Sequence, residues 1–167
     1  MTPIPEENLH PLDGGESVHG YRVLDTPGHA SHHVAYLDEA TGRAFVGDLA
    51  ATRLWEGGPL LPATPPPDID IEVWLNSLGQ VIEREPTWLG LPHFGAVPDA
   101  MEHLDAAASS VRRHAELATS LDCDGYVRTV RDELATELDP AAVEDQILTV
   151  DLAQNHAGLR RWADGPD

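Results

Sequence analysis

Between Asp25 and His33 the chain reads Asp-Thr-Pro-Gly-His-Ala-Ser-His-His, and this stretch limits the fold more than any other. Pro27 locks its own φ and lacks an N–H, while Gly28 is free to take positive φ. Neither a helix nor a strand runs through such a pair, so the stretch is a sharp loop that re-aims the chain and the side chains just after it. His29, His32 and His33 ride on it. Neighbouring histidines of this kind occur as solvated turn residues, and neutral imidazoles on a tight loop at a strand end are also good metal ligands. The choice between the two rests on the rest of the chain.

The segments around the turn alternate with period two. Val18–Leu24, His33–Leu37 and Arg43–Val46 read as strands, with a hairpin loop over Asp38–Gly42. Residues 1–17 are rich in Pro and Gly, and Asp13-Gly14-Gly15 is a turn signal. Leu54–Asp68 is a long Pro/Gly loop containing Trp55 and Pro65-Pro66-Pro67, stiff enough to wall a site, with Asp68 placed as an N-cap. From Ile69 the period becomes helical. Ile71, Trp74, Leu75, Leu78 and Ile82 share a stripe that Pro86 ends, and Thr87–Leu91 follows as a short buried strand. A helix after Pro98 carries Met101, Leu104, Ala108, Val111, Ala115 and Ala118 on one side. Tyr126, Val127, Val130, Leu134 and Leu138 mark the next. Asp139-Pro140 opens another, with Val143, Ile147, Leu148 and Leu152 inward, and Asn155–Trp162 forms a last short helix. Strands first, then strand–helix alternation, then helices: the order implies an α/β layer of helices packed on a sheet.

Of 167 residues, 41% are hydrophobic, enough for one domain with a core and too many for a disordered chain. No run is long and apolar enough for a membrane span, and the start has acidic rather than basic residues, so a cytoplasmic location is expected. The single cysteine, Cys123, excludes an internal disulfide and a Cys-rich zinc site, and reads as a packed thiol near a helix end. Asp and Glu number 29 against 10 basic residues, all arginine, for a formal charge of −19. That field opposes nucleic acid and anionic lipid as partners. The acid excess and the absent lysine lead us to expect salt adaptation, while a high-GC coding bias is the other source of missing lysine; circular dichroism against salt concentration decides, and full folding in low salt excludes salt adaptation.

Two further strand ends carry chemistry. Gly47-Asp48 places a carboxylate behind a glycine after the third strand, and Pro92-His93 delivers a histidine after the strand at Thr87–Leu91. His103, His114 and His156 sit inside helical stripes and read as packing or surface residues.

Thr26-Pro27-Gly28-His29, Gly47-Asp48 and Leu91-Pro92-His93-Phe94-Gly95 together resemble, in order and context, the later metal-binding motifs of the metallo-β-lactamase-fold hydrolases. The wording through His33, with Thr64-Pro-Pro-Pro-Asp68 and Gly158-Leu-Arg-Arg161, resembles one uncharacterised subgroup. The resemblance implies a fold class: α/β, half of a metallo-β-lactamase αββα sandwich, one β-sheet covered by helices, plus C-terminal helices. Residues 1–120 would be the C-terminal half of such a domain and 121–167 a helical extension packed on it. It also implies a two-metal site, usually zinc, with His29 on the first metal, Asp48 bridging both and His93 on the second. His32 and His33 match positions beside the ligands. A bridging carboxylate suits two ions about 3.5–4 Å apart, and imidazole suits zinc.

The family's His-x-His-x-Asp-His signature is absent: no two histidines here are separated by one residue, and no Asp-His pair occurs. The resemblance therefore covers a second half only, with two ligands of the first metal and a histidine and aspartate of the second missing. Two functions are expected from this. One is a hydrolase of the ester, thioester, lactone or phosphoester class, inactive alone and acting on a small molecule when complemented. The other is a non-catalytic metal-binding or association module, such as a truncated remnant or a subunit of a split protein. Either way an open sheet face is expected to drive homodimerisation or capture of a complementing N-terminal half.

Overall fold

A computed structural model describes residues 3–12, 14–65, 67–93 and 95–165. Asp13, Pro66 and Phe94, which belong to a turn signal, the proline run and the His93 motif, lie outside the described residues. The described strands form one sheet in sequential order: β1 (Ser17–Val18), β2 (Tyr21–Asp25), β3 (Val34–Asp38), β4 (Arg43–Phe45), β5 (Trp88–Leu91) and β6 (Gly95–Val97). All neighbours are antiparallel except β4 and β5. A parallel pair needs a crossover, and here it is a 3-10 turn (Gly47–Ala50), the Pro/Gly loop and helix α1 (Ile71–Ile82). Helices α2 (Ala100–Ser120), α3 (Cys123–Leu134), α4 (Pro140–Thr149) and α5 (Leu152–Asp164) complete the chain.

The expected strand Val18–Leu24 is two strands. His19 (φ 51°) and Gly20 (φ 90°) form the two-residue loop of a hairpin, both in the left-handed region that such tight turns require. β6 has no counterpart in the sequence reading. It is three residues long and pairs with β5, so His93 stands on the β5–β6 hairpin. α1 is capped by Asp70, whose side chain accepts from Val73 N, and not by Asp68, which accepts a hydrogen bond from Ser31 Oγ at 3.1 Å.

Alternation decides the two faces. Leu24, Ala35, Leu37, Ala44, Leu89 and Val97 lie in matched register and are buried with Trp74, Leu78 and Val81 of α1 and Leu104 and Val111 of α2 in one core. The opposite face carries Tyr21, Tyr36, Phe45 and Trp88. Phe45 meets the edges of Tyr21 (5.8 Å) and Trp88 (5.6 Å), and the Arg43 guanidinium lies over Trp88. Phe45 is 42% exposed and Tyr36 36%. This face presents the rings of Tyr36 and Phe45 to solvent.

Helices α3 and α5 pack on α2 and on each other, and Tyr126, Leu134, Val143, Leu152 and Leu159 join the same core. Two expected inward residues point out: Met101 is exposed, and Leu148 is 83% exposed because the buried side of α4 runs through Val143 and Gln146 instead. Among the described residues neither amide atom of the fully buried Gln146 has a hydrogen-bond partner. Unpaired buried polar atoms are destabilising, so Gln146→Met, close in shape, is expected to stabilise the fold by about 1–2 kcal/mol in urea denaturation. No described helix is long and apolar enough to cross a membrane.

Candidate metal centre

Helix α1 builds the site by holding two loops at once. Gly28 packs on its first turn: the Gly28 carbonyl accepts from Asp70 N at 2.9 Å, and Ser77 Oγ donates to the Pro27 carbonyl at 2.7 Å. On the other side the Trp74 indole N–H donates to the Leu49 carbonyl at 2.7 Å, fixing the 3-10 turn that carries Asp48. His103 of α2 clamps the same turn by donating from Nε2 to the Ala50 carbonyl at 2.9 Å. The turn ends in Ala51 at φ 59°, ψ 175°, a region normally left to glycine. Strain of this kind persists only where the surroundings over-determine the backbone, and Trp74 and His103 supply that constraint.

The three residues singled out in the sequence come together from three loops. His29 Nε2 lies 3.5 Å from Asp48 Oδ2, and His93 Nε2 lies 3.0 Å from Asp48 Oδ1. The carboxylate thus has one imidazole on each oxygen. His29 is the most enclosed of the three, its ring edge-on to Trp74 at 5.3 Å, and its Nδ1 lies 2.8 Å from the Ala63 carbonyl. A carbonyl only accepts, so Nδ1 carries a proton, and the opposite ring nitrogen, Nε2, faces Asp48. Although His93 Nε2 is close to Oδ1, the pair is not aligned as a hydrogen bond, and that buried oxygen has no donor among the described residues.

A buried carboxylate oxygen without a donor is unfavourable unless a cation lies against it. Imidazole nitrogen held by a backbone carbonyl on its far side, with carboxylate oxygen, is the donor set that zinc-like ions take. The residues fit a metal in chemistry and fall short in number. Each side of Asp48 offers one histidine and one oxygen, and no described group of three or more His, Cys, Asp or Glu takes a metal-holding arrangement. Tetrahedral sites use about three or four protein ligands.

His33 stands beside the site rather than in it. Its Nδ1 pairs with Thr26 Oγ1 at 2.8 Å, and its ring meets His29 at 5.9 Å. Burial, and then the neighbouring His29, hold its pKa below the usual histidine value. Gly47 makes room for it, since a Cβ there would come within 2.4 Å of His33 Nε2. His32 is exposed. Sequence reasoning misses the roles of Ala63, whose contribution is a backbone carbonyl, and of Trp74, which reads from its spacing as core alone.

The sequence model of the metallo-beta-lactamase superfamily matches residues 3–93. The metallo-beta-lactamase fold-containing protein ST1585 of Sulfurisphaera tokodaii is 29% identical over 163 residues, 94% of this chain and 52% of that protein. Its crystal structure, described as that of an archaeal metallo-beta-lactamase superfamily protein from Sulfolobus tokodaii, superposes with a TM-score of 0.60 at 23% identity, covering 99% of this chain and 56% of that one. The metallo-beta-lactamase family protein TTHA1429 of Thermus thermophilus gives 0.63 at 22% identity, covering 96% of this chain and 50% of that one. The chain spans about half the length of the relatives it matches, and its mixed sheet with helices matches their α/β sandwich fold over that half.

Proposed function

The chain belongs to the metallo-beta-lactamase superfamily, and we propose that it is the second half of a metal-dependent hydrolase, supplying the bridging carboxylate Asp48 and one histidine on either side of it. The observation that carries this is the convergence of His29 Nε2 and His93 Nε2 on the two oxygens of Asp48, one of them buried without a donor among the described residues. When bound, zinc-like ions there supply Lewis-acid polarisation of an ester, thioester, lactone or phosphoester and activation of water at neutral pH. This chain's residues hold the donors in place: Ala63 keeps the proton on His29 Nδ1, Trp74 packs the ring, and His103 and Trp74 fix the turn of Asp48.

With two donors per side, the chain alone is proposed to hold metal weakly and to lack hydrolase activity of its own. The remaining donors, a His-x-His-x-Asp-His segment, are proposed to arrive with a complementing half docked on the aromatic sheet face. A second copy of this chain lacks that motif and does not complete the site. A groove of about 380 Å³ on that face, lined by Phe45, Trp88, Gly90, Pro92 and Ala96, leads to Gly47 beside Asp48, which favours that direction of docking. The alternative, a non-catalytic metal-binding or association module, keeps the same face and the same partial site.

The test mixes this chain with a polypeptide carrying the first half of a superfamily relative, and follows hydrolysis of a panel of p-nitrophenyl esters, thioesters and lactones. Turnover in the mixture alone, lost in Asp48→Ala, is expected. Equal turnover by the isolated chain overturns the need for a partner, and metal uptake by the mixture without turnover supports the non-catalytic alternative. Elemental analysis of untagged protein tests the ligands: equal zinc in wild type and in a His29→Ala/His93→Ala variant removes them from consideration. Light scattering that finds a stable dimer reassigns the aromatic face to a second copy.

A further inference from the structure

We propose that Asn155, far along the chain on α5, is a positioning residue for His29 and acts through the single peptide unit between Ala63 and Thr64. The carbonyl end of that unit accepts from His29 Nδ1 at 2.8 Å, and its N–H end donates to Asn155 Oδ1 at 2.8 Å. A peptide unit is planar, so fixing its N–H direction fixes its carbonyl direction. The amide of Asn155 therefore sets where the Ala63 oxygen points, and with it the tautomer and tilt of the His29 ring. Hydrogen bonds in series also strengthen one another, so an engaged Thr64 N–H makes the Ala63 oxygen a better acceptor.

Asn155 is built to do this without play. Its Nδ2 donates to the Pro62 carbonyl at 2.6 Å, and Thr64 Oγ1 donates to the Asn155 carbonyl at 3.1 Å, so the loop is gripped on both sides of Ala63. Asn155 and Thr64 are buried. The Tyr126 hydroxyl lies 2.6 Å from His114 Nδ1, and its ring packs on His156 next to Asn155, tying α5 to α3 and α2. An unbroken line of hydrogen bonds runs from the C-terminal helices to the far nitrogen of His29. The C-terminal helices, which the sequence presents as an addition to the sheet layer, thereby take part in shaping the site.

The functional consequence rests on His29 being a ligand, but the test does not. Long-range proton–nitrogen NMR of the metal-free, 15N-labelled chain reports which ring nitrogen of His29 carries the proton. Wild type is expected to hold the Nδ1–H form. Asn155→Ala is expected to mix in the Nε2–H form and weaken Co²⁺ binding about tenfold, in the range seen when support behind a ligand is removed. Asn155→Asp, which keeps an acceptor for Thr64 N–H, is expected to restore the Nδ1–H form. Asn155→Leu, close in volume and without the acceptor for Thr64 N–H, is expected to mix in the Nε2–H form as well; it serves if Asn155→Ala does not fold. An unchanged His29 tautomer in a folded Asn155→Ala, or in Asn155→Leu if that is the one that folds, overturns the proposal. Co²⁺ binding unaffected by His29→Ala would instead overturn the ligand reading while leaving the tautomer result to stand.

Discussion

Gly28→Ala is expected to leave the chain largely unfolded, with a loss of at least about 4 kcal/mol, the range reached only by named structural failures. Two effects coincide at this residue. Its φ is 125°, which L residues with a side chain rarely adopt, and a Cβ built there lies 2.3 Å from both the N and the Cα of Trp74. Those are backbone atoms of α1, so no rotamer change relieves the overlap; the turn and the helix must separate. Separation breaks the Asp70–Gly28 and Ser77–Pro27 hydrogen bonds and pulls Trp74, which is fully buried, from its bond to Leu49. Both loops of the metal centre then lose their common support. Gly57→Ala is the control: its φ is 70°, but nothing lies within 4 Å of the added carbon, so only the conformational penalty of about 1 kcal/mol remains. Urea denaturation of the two variants beside wild type reads the difference, and a Gly28→Ala protein within about 1 kcal/mol of Gly57→Ala would show that the turn is not packed as described.

How much of this is legible in the sequence depends on the distance over which each feature is encoded. Helix α1 is readable from Ile71, Trp74, Leu78 and Ile82 because an apolar stripe is a local signal. His29, Asp48 and His93 are readable as candidates because each follows a strand next to Gly or Pro, and the structure brings the three together. Asp68 passes for the cap of α1 because both it and Asp70 are good caps and only the start of the helix decides between them. β6 escapes because three residues carry no measurable period, and Leu148 reads as inward because α4 is short and its buried side includes a glutamine. The contacts that orient His29 are out of reach for a different reason. One is a main-chain oxygen, which every residue has, and its support comes from a residue 91 positions away from Thr64.

Between pH 6.5 and 4 the fold is expected to lose about 3 kcal/mol through His114. Its ring is buried between α2 and α3 against the Tyr126 hydroxyl, and burial, with the Arg113 charge as a lesser cause, pushes its pKa down to about 4 from an ordinary 6.5. The sign follows from which state binds more protons. In the unfolded chain His114 protonates as the pH passes 6.5; in the folded protein it stays neutral until about 4. Across that window the unfolded state carries the extra proton, so stability is whole above pH 6.5 and declines as the pH falls. Urea denaturation at about pH 7 and about pH 4.5 measures the drop, and His114→Phe, of similar size and without the titrating ring, isolates it. The variant is expected to lose much less than wild type over the same interval; an identical loss would place the acid sensitivity in the carboxylates instead. The site is expected to follow the fold here. Protonated His114 can no longer accept from Tyr126, whose ring packs on His156 beside Asn155, the residue behind the peptide that orients His29.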